Sequence, residues 1–514
     1  MDSGKRLTFA YEGSYDNIFE NVSFQIDTDW KLGFTGRNGR GKTTFLKLLM
    51  GMYEYEGRIT ASVDFEYFPY HVPDEEKDTV DIACELNPMC ELWELQKELA
   101  RLDVSEDVLY RPFSTLSYGE KTKTLLAVLF LKENAFLLID EPTNHLDVKA
   151  RETVGRYLDS KKGFILVSHD RTLLNSCTSH TLAVNKTNIE VQRGNFASWF
   201  ENKKRQDEFE IHENEKLKKD IRRLTESSRQ AGQWADNVEA TKIGKKSRIY
   251  EQCMDNRAYI GEKSRRMQQR RKNLEKRQDK AIDDKKKLLK NIEEAEELKL
   301  MPERFHGETL AVFRDVSLGY EGEDEYREAA SGLSFSIMQG DRVVLEGQNG
   351  CGKSSVLKLL LETAGQSGKK QAELDGMKRG ALLNSGVITT AAGLKISYVP
   401  QSAEHLNGTL QEFAAEWELD ETLFLAILRK LDFSRVQFEK RMEDYSEGQK
   451  KKVLLAKSLC EKAHLYIWDE PLNYIDIFTR MQLEDLILKY APTMIFVEHD
   501  KAFAERAATK RIRL

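Results

Sequence analysis

The chain has 514 residues, 40% of them hydrophobic and 32% charged, with a net charge of only −6 at pH 7, so two or more domains and a large core are expected. It contains no apolar run near the roughly 20 residues of a membrane helix and no secretory signal, which predicts a cytoplasmic protein with no membrane partner. The six cysteines are scattered without a CxxC pair, which argues against zinc and iron–sulfur sites and fits a reducing compartment.

The first domain is predicted to cover residues 1–195 and to be built around a glycine-rich loop. The loop, GRNGRGKTT from Gly36, follows the apolar run WKLGFT and opens a helical stretch whose N-terminus favours anions. It matches G-x-x-x-x-G-K-[ST], in which backbone N–H groups surround phosphate, the lysine reaches the β- and γ-phosphates and the hydroxyl can bind Mg²⁺. The predicted ATP-binding residues of this loop are Gly36, Asn38, Gly39, Gly41, Lys42, Thr43 and Thr44.

Short apolar runs alternate with helical stretches through the rest of this domain, which indicates a largely parallel α/β sheet. Three polar motifs follow the loop: LSYGE at 116–120, FLLIDEPTNHLD at 136–147 and SHD at 168–170. The second of them ends an apolar strand in an aspartate followed by a glutamate. Such a pair is suited to metal binding and to activation of water.

Residues 196–304 are dense in charge and poor in glycine and proline, which predicts a helical linker. We expect two long antiparallel helices, at about 199–236 and 258–299, joined by an irregular tip at about 241–257. Lysine and arginine concentrate toward this tip, with aromatic residues among them, as in a nucleic-acid contact. A solvated coiled coil is the alternative. The predicted RNA-binding residues are Lys242, Lys245, Lys246, Arg248, Lys263, Arg265, Arg266, Arg270 and Arg271.

Residues 305–514 repeat the order of the first domain, with a second loop, GQNGCGKSS, that also follows an apolar run. The later motifs are YSEGQ at 445–449, LYIWDEPLNYID at 465–476 and EHD at 498–500. This copy is longer between its loop and YSEGQ, and segment 365–395, rich in Gly, Lys and Ser, is the expected place of a surface insertion. The predicted ATP-binding residues of this loop are Gly347, Asn349, Gly350, Gly352, Lys353, Ser354 and Ser355.

Together these motifs resemble the ATP-binding cassette superfamily, and the resemblance covers both domains. It implies an α/β fold class with two tandem ATP-binding-cassette (P-loop NTPase) domains joined by a long antiparallel α-helical hairpin. It also implies an ATPase that releases ADP and phosphate, with ATP and Mg²⁺ as cofactors. The predicted catalytic residues are Glu141 and Glu470, which would activate water, and His169 and His499, which would contact the γ-phosphate. The predicted metal-binding residues are Thr43, Asp140, Ser354, Gln401 and Asp469.

LSYGE and YSEGQ correspond to the cassette signature, through which two cassettes pair head to tail and each caps the nucleotide of the other. The resemblance therefore implies a monomer with an intramolecular cassette dimer. The predicted capping residues are Ser446 and Gly448 for the site of Lys42, and Ser117 and Gly119 for the site of Lys353. Tyr11 and Tyr320 would stack on adenine.

Three departures from the family pattern predict that the two ATP sites differ. Tyr118 and Glu447 stand where the signature usually has glycine, and both are larger than the glycine they replace. Tyr70 stands in FEYFPY where the second domain has Gln401 in ISYVPQ, and a phenol cannot supply the amide that positions water or Mg²⁺. Unequal hydrolysis rates are expected.

The chain resembles the ABC-F proteins in having two cassettes, the motif EPTNHLD and a charged helical linker. Within that family it resembles the Lsa/Vga resistance group, through the motifs IWDEPLNYID and WKLGFTGRNGRGKTT. Members of that group bind the 70S ribosome, reach 23S rRNA and the P-site tRNA with the linker, and protect against lincosamides, pleuromutilins and streptogramin A. The interval from Tyr70 to Ser117 is close in length to that from Gln401 to Ser446, so the first cassette lacks the added arm of housekeeping members.

Two other functions remain open from the sequence. The first is a housekeeping ABC-F translation factor with the same chemistry and no drug phenotype. The second is the tandem ATPase of an importer, although importer linkers are not long basic hairpins. A chromosome-organising or repair ATPase is disfavoured, because it would carry a coiled coil inside one cassette or zinc-binding cysteines.

Overall fold

The computed structural model describes residues 2–11, 17–144, 146–184, 189–240, 298–321, 326–365 and 382–514. The chain divides into two compact units, of which one contains Met1–Trp199 and Ala295–Leu514, and the other contains Phe200–Glu294. Both glycine-rich loops belong to the first unit. We call residues 1–195 the first cassette and residues 305–514 the second cassette.

The first cassette contains two sheets. Its strands are β1 (Asp2–Phe9), β2 (Phe19–Ile26), β3 (Lys31–Thr35), β4 (Glu56–Thr60), β5 (Asp64–Phe68), β6 (Ala135–Asp140), β7 (Phe164–Val167), β8 (His180–Val184) and β9 (Ile189–Arg193). A six-stranded sheet has the order β5-β6-β7-β3-β8-β9 and is parallel except for β9, while β2-β1-β4 form an antiparallel sheet. Strands β6 and β7 are continuous apolar runs because both of their faces are buried, whereas buried residues in β2 are interspersed with exposed ones.

The helices of the first cassette connect these parallel strands. They are α1 (Lys42–Leu49), α2 (Thr79–Leu86), α3 (Leu92–Arg101), α4 (Tyr118–Phe130), α5 (Val148–Asp159) and α6 (Arg171–Cys177), with 3₁₀ turns at Glu106–Tyr110 and Phe113–Thr115. The start of α4 explains the motif LSYGE. Ser117 caps the helix and exchanges hydrogen bonds with Glu120, a capping box that satisfies two otherwise unpaired N–H groups.

A single helix, α7 (Phe196–Ala240), leaves the first cassette and has 45 residues, which corresponds to about 67 Å. The predicted first linker helix, 199–236, is confirmed, and it is longer at both ends. Pairs one turn apart, such as Arg205 with Glu201 (2.7 Å), stabilise its exposed face. The predicted tip, about 241–257, and the second linker helix, about 258–299, lie outside the described residues except for 298 and 299, which are not helical. Leu298 and Leu300 are buried in the core of the second cassette instead.

The second cassette repeats the two-sheet plan with longer antiparallel strands. Its strands are β10 (Thr309–Glu321), β11 (Tyr326–Met338), β12 (Arg342–Glu346), β13 (Leu382–Thr390), β14 (Ile396–Val399), β15 (Leu465–Asp469), β16 (Met494–Val497) and β17 (Lys510–Arg513). The parallel sheet has the order β14-β15-β16-β12-β17, and the antiparallel sheet has the order β11-β10-β13. The predicted α/β fold is therefore confirmed in both cassettes.

The second cassette has seven helices among its described residues, one more than the first. They are α8 (Lys353–Thr363), α9 (Leu410–Glu416), α10 (Glu421–Lys430), α11 (Arg435–Phe438), α12 (Glu447–Cys460), α13 (Ile477–Tyr490) and α14 (Lys501–Ala507), with a 3₁₀ turn at Met442–Asp444. Ser446 caps α12 in a capping box with Gln449, as Ser117 does for α4. The serine of each signature thus has a local structural role in starting a helix.

The expected insertion at 365–395 is only partly a surface addition. Strand β13 occupies 382–390 and pairs with β10 from Ala311↔Thr390 to Tyr320↔Leu382, in the place that β4 takes beside β1. Residues 382–390 are therefore part of the antiparallel sheet, where β10 satisfies their backbone hydrogen bonds. The preceding residues, 366–381, lie outside the described part of the chain.

Candidate nucleotide-binding sites

The functional residues of each cassette gather where neighbouring parallel strands end. In the first cassette, β6 pairs with β7 through Asp140 and Val167, and β3 pairs with β7 through Phe34 and Val167. The residues that follow these strands therefore meet at one edge of the sheet, which is where ligands bind in open α/β sheets. The second cassette has the same registers, with Asp469 opposite Val497 and Leu345 opposite Val497.

The first glycine-rich loop requires glycine at two positions. Gly39 and Gly41 have φ of 80° and 84°, in the left-handed region that other residues rarely adopt. A Cβ on Gly41 would also lie 2.5 Å from Ile18 Cγ2. Gly350 and Gly352 have φ of 82° and 87°. Both loops therefore have the same backbone path into the helix that follows.

The loop lysines lie at the centre of their loops. Lys42 Nζ donates to Gly36 O (2.8 Å) and to Asn38 Oδ1 (3.2 Å). Lys353 Nζ donates to Gly347 O (2.9 Å) and Gln348 O (2.8 Å). Burial lowers the pKa of Lys42, while the nearby carboxylates of Asp476, Glu141 and Asp140 oppose this. The ammonium group of each lysine therefore lies among carbonyl oxygens of its loop. A bound phosphate can replace these oxygens as the hydrogen-bond acceptor.

The hydroxyl and carboxylate predicted to hold Mg²⁺ are in contact. Thr43 Oγ1 donates to Asp140 Oδ2 (3.0 Å), and the hydroxyl of Tyr67 donates to the same oxygen (3.1 Å). Burial raises the pKa of Asp140, and these two hydrogen bonds oppose the rise. Hydroxyl and carboxylate oxygens are the hard ligands that Mg²⁺ prefers, so the donor set fits this ion. Sequence reasoning missed Tyr67, which no motif marks.

The two glutamates share an unusual backbone conformation. Glu141 and Glu470 have φ of 50° and 46°, and non-glycine residues adopt such values at a cost of about 1–3 kcal/mol. Each is still hydrogen-bonded to the neighbouring strand through its N–H, to Val167 O (2.9 Å) and Val497 O (3.0 Å). This arrangement directs each carboxylate to a histidine, with Oε1 at 3.3 Å from Nε2 of His169 or His499.

The protonation of the two glutamates differs. Burial raises the pKa of Glu141 to about 8, with the adjacent Asp140 adding to the effect. Burial would also raise the pKa of Glu470, but hydrogen bonds from His499 and Gln401 and the charge of Lys451 lower it to about 2. Asn473 Nδ2 also donates to Glu470 Oε2 (2.7 Å). At neutral pH Glu470 is therefore the more ionised of the two glutamates.

This difference predicts which of the two ATP sites hydrolyses ATP faster, namely the second. Glu470→Gln is expected to lower steady-state ATP turnover at pH 7 more than Glu141→Gln does, by up to about tenfold, because the raised pKa keeps Glu141 mostly protonated. The residual turnover of the Glu470→Gln variant should rise from pH 7 to pH 9 as Glu141 loses its proton. Phosphate release by both single variants over this pH range measures the effect. Equal rates and parallel pH profiles would contradict it.

The tyrosine at the matching position of the first cassette does not take the place of the glutamine. The hydroxyl of Tyr70 donates to Glu66 Oε2 (3.3 Å), and the ammonium of Lys132 lies 5.1 Å from the centre of its ring. Gln401, in contrast, borders the cavity of the second site and hydrogen-bonds Glu470. The two positions therefore serve different networks.

The second site is a cavity of about 330 Å³ between the second glycine-rich loop and the residues after β15 and β16. It brings together ten residues of the second cassette and one arginine of the first. The lining residues are Asn349, Gly350, Gly352, Lys353, Ser354, Ser355, Gln401, Glu470, Asn473, His499 and Arg151. Among the described residues that line it, neither Ser117 nor Gly119 is present, so the predicted capping of this site by the first signature stays a prediction.

The first site lies against the second cassette. Asn38 Nδ2 donates to Tyr474 O (3.0 Å), and Arg37 Nη1 lies 2.5 Å from Asp432 Oδ1. Gly448 lies close to the same Tyr474 carbonyl, since a Cβ there would be 2.7 Å from it. The predicted capping of the first site by Ser446 and Gly448 stays a prediction.

The predicted adenine-stacking residues are only partly described. The hydroxyl of Tyr11 bonds with Thr44 Oγ1 (2.7 Å), and its ring is 42% exposed beside the start of α1. A base could therefore reach this ring. Tyr320 lies in β10, but its side chain is outside the described part of the structure, and so are the nine predicted RNA-binding residues from Lys242 to Arg271.

A paired difference between the cassettes was also missed from the sequence. Thr143 Oγ1 lies 3.4 Å from Ser168 Oγ in the first cassette. Leu472 and Glu498 stand at these places in the second, where Leu472 N donates to Glu498 Oε1 (2.9 Å) and His499 N donates to Glu498 Oε2 (2.8 Å). The sequence could have indicated this difference, because SHD is replaced by EHD where threonine is replaced by leucine. In both cassettes the contact joins the residue before the histidine to the segment that follows the glutamate.

Comparisons with known proteins cover nearly all of the chain. The family model described as ABC transporter matches residues 19–144 and 330–473, just over half of the chain. The chain is 25% identical over 551 residues to the putative ATP-binding protein YdiF of Bacillus subtilis, covering 97% of this chain and 78% of that protein. It is also 25% identical over 526 residues to the ribosome protection protein VmlR of the same organism, covering 98% and 85%.

One solved structure shows the same fold. The archaeal ribosome recycling factor aABCE1, in its complex with the stalk protein aP1, matches with a TM-score of 0.57. The match covers 96% of this chain and 84% of that chain at 17% sequence identity. A likeness at this identity shows the fold alone.

Proposed function

This chain belongs to the ABC transporter family of ATP-binding proteins, and we propose that it is a ribosome-binding ABC-F ATPase that protects the bacterial ribosome from antibiotics. It is an ATPase built from two tandem cassettes. The drugs would be those acting at the peptidyl-transferase centre: lincosamides, pleuromutilins and streptogramin A. ATP binding would close the cassettes, and hydrolysis would release the factor from the 70S ribosome.

The observation that carries this proposal is similarity to a ribosome protection protein over 98% of the chain, linker included. The linker supports it, because α7 is a long and highly charged helix between the cassettes. Among the described residues, no helix is both long and apolar enough to cross a membrane. The excess of basic residues between 242 and 271 suits contact with phosphates of 23S rRNA and the P-site tRNA.

As part of this proposal, we assign a step to each group in the sites. Backbone N–H groups of the two loops and the ammonium groups of Lys42 and Lys353 would bind the phosphates. Glu470, already ionised, would accept the proton of the attacking water, and His499 would hold its carboxylate in place. Thr43 and Asp140 in the first site, and Ser354, Gln401 and Asp469 in the second, would hold Mg²⁺, whose positive charge would offset that of the phosphates.

The alternative within the same chemistry is a housekeeping ABC-F translation factor. The region between β5 and α4 disfavours it, since it contains only α2, α3 and two 3₁₀ turns, much as the region between β14 and α12 does. An importer ATPase is less well supported because its linker would not be a long charged helix. Growth with and without the gene across a panel of the three drug classes separates resistance from a housekeeping role.

Replacing the predicted tip, 241–257, with a short Gly/Ser loop is expected to abolish protection while leaving ATPase activity and much of the ribosome binding intact. The reason is that the tip would lie nearest the drug, while basic residues along the linker supply affinity. Cell-free translation with lincosamide or pleuromutilin measures protection, and co-sedimentation measures binding. As a matched control, charge reversal at Arg265, Arg266 and Arg270 should weaken ribosome binding, most visibly at higher salt. Protection by the tip-replaced protein would contradict the role of the tip.

A further inference from the structure

One arginine in each cassette occupies the same place, in the first turn of the helix after the DEP motif. Arg151 lies in α5 and Arg480 in α13. Arg151 Nε donates to Leu146 O (2.9 Å), and Arg480 Nε donates to Ile475 O (2.9 Å). Each side chain thus folds back over the N-terminus of its own helix, toward the side of the cassette that faces the other.

Both guanidinium groups also contact the aspartate that follows the histidine of their own cassette. Arg151 Nη1 lies 3.5 Å from Asp170 Oδ2, and Arg480 Nη1 lies 3.0 Å from Asp500 Oδ2. These aspartates are buried and cap the helices that follow, so their positions are fixed. Anchored at two points, each arginine is held in one orientation before any ligand binds, which reduces the entropy lost on binding.

The position of Arg151 differs from that of Arg480 in one respect. Arg151 borders the cavity of the second site, and it also borders the neighbouring cavity together with His499. His499 is the residue predicted to contact the γ-phosphate of a nucleotide on Lys353, so Arg151 lies near the expected place of that phosphate. Among the described residues, Arg151 donates to Leu146 O and pairs with Asp170, which leaves guanidinium N–H groups for the cavity, since arginine has five.

Arg480 is already more fully bonded within its own cassette. Besides Ile475 O and Asp500, its guanidinium donates to Leu472 O (2.9 Å), and its side chain is 8% exposed. Burial raises the pKa of Glu141, and the positive charge of Arg480 opposes this rise, so its charge acts on the first site. Its N–H groups are committed to the second cassette, which makes Arg480 a structural counterpart of Arg151.

We infer that Arg151 of the first cassette is a catalytic residue of the second ATP site, where its guanidinium binds the γ-phosphate of the nucleotide held by Lys353. A planar guanidinium matches phosphate oxygens and remains charged at any relevant pH. Because Arg151 comes from the other cassette, this contact forms only when the cassettes are together. The assignment concerns nucleotide binding alone and needs no ribosome, so it stands or falls separately from ribosome protection.

Nucleotide affinity in single-site backgrounds tests this assignment. Lys42→Ala disables the first site, so isothermal titration with AMPPNP and with ADP then reports the second. Adding Arg151→Gln should weaken AMPPNP binding about tenfold or more and change ADP binding less than about twofold, because only AMPPNP has a γ-phosphate. Arg151→Lys, which retains the charge without the fork, should restore part of the loss.

Two controls separate this role from a structural one. Arg156→Gln removes an exposed arginine of the same helix that pairs with Asp103 (3.7 Å), and it should leave both affinities unchanged. In a Lys353→Ala background, which reports the first site, Arg151→Gln should leave AMPPNP binding unchanged, which also shows that the variant folds. Equal losses for AMPPNP and ADP, a loss in the Lys353→Ala background, or no loss in the Lys42→Ala background would overturn the assignment.

Discussion

Replacing Glu141 and Glu470 together with glutamine is expected to slow ATP hydrolysis by about 100- to 10,000-fold while ATP binding remains. Glutamine keeps the size of each side chain and its ability to accept from Asn473 or the histidine backbone. It cannot take a proton from water, so the step that needs a base is lost. The P-loop lysines and hydroxyls, which bind the nucleotide, are untouched.

The measurements are phosphate release under saturating ATP and nucleotide affinity by titration. The double variant should bind ATP with close to the affinity of the unmodified protein. Under the proposed function it should also co-sediment with ribosomes in the presence of ATP, since closure without hydrolysis would prevent release. Glu76→Gln and Glu54→Gln, exposed glutamates of the first cassette, serve as a matched control and should leave turnover unchanged. Turnover of the double glutamine variant near that of the unmodified protein would show that neither glutamate is the base.

Local patterns in the sequence predicted the parts of these sites that depend on neighbouring residues. The glycines of each loop, the aspartate–glutamate pairs and the serine caps are fixed by backbone conformation within a few residues. The paired capping boxes of α4 and α12 are one example, because the motif that suggested a signature also starts a helix. Helix α7 could likewise be predicted from its length, its charge and its few glycines, because these are local properties of the sequence.

Features that depend on distant residues were not predictable in the same way. Tyr67 reaches Asp140 only because β5 lies beside β6, and Arg151 reaches the second site only because the cassettes meet. The opposite protonation of Glu141 and Glu470 also depends on burial and on Gln401, Asn473 and Lys451. Such effects need coordinates, because sequence spacing says nothing about which side chains share a buried space.

The contacts that join the cassettes include two ion pairs with very different surroundings. Arg171 Nη1 donates to Glu484 Oε2 (3.1 Å), and a second contact joins Arg171 Nη2 to Glu484 Oε1. Glu484 is fully buried and also accepts from Arg506 (2.9 Å). On the other side, Lys501 lies 3.2 Å from Glu152, and both side chains are half exposed.

The two sides differ because of one residue. Counted from the capping aspartates Asp147 and Asp476, Gly155 in α5 has the place of Glu484 in α13. Without a side chain there, a cavity of about 340 Å³ remains, bordered by Gly155, Lys501 and His499. The side of Lys501 therefore has an exposed ion pair where the side of Arg171 has a buried one.

Glu484→Gln is expected to lower the free energy of unfolding by about 3 kcal/mol, because it removes the buried carboxylate that pairs with the largely buried Arg171 and with Arg506. Glu152→Gln is the matched control, since it removes the exposed carboxylate of the other cross-cassette pair and should change stability by less than about 0.5 kcal/mol. Urea unfolding of both variants, followed by circular dichroism, measures the difference. Higher salt should reduce the small loss of stability caused by Glu152→Gln. It should not change the loss caused by Glu484→Gln, because a buried ion pair is screened far less than an exposed one. If both variants unfold at the same urea concentration, the buried pair of Arg171 with Glu484 does not hold the cassettes together.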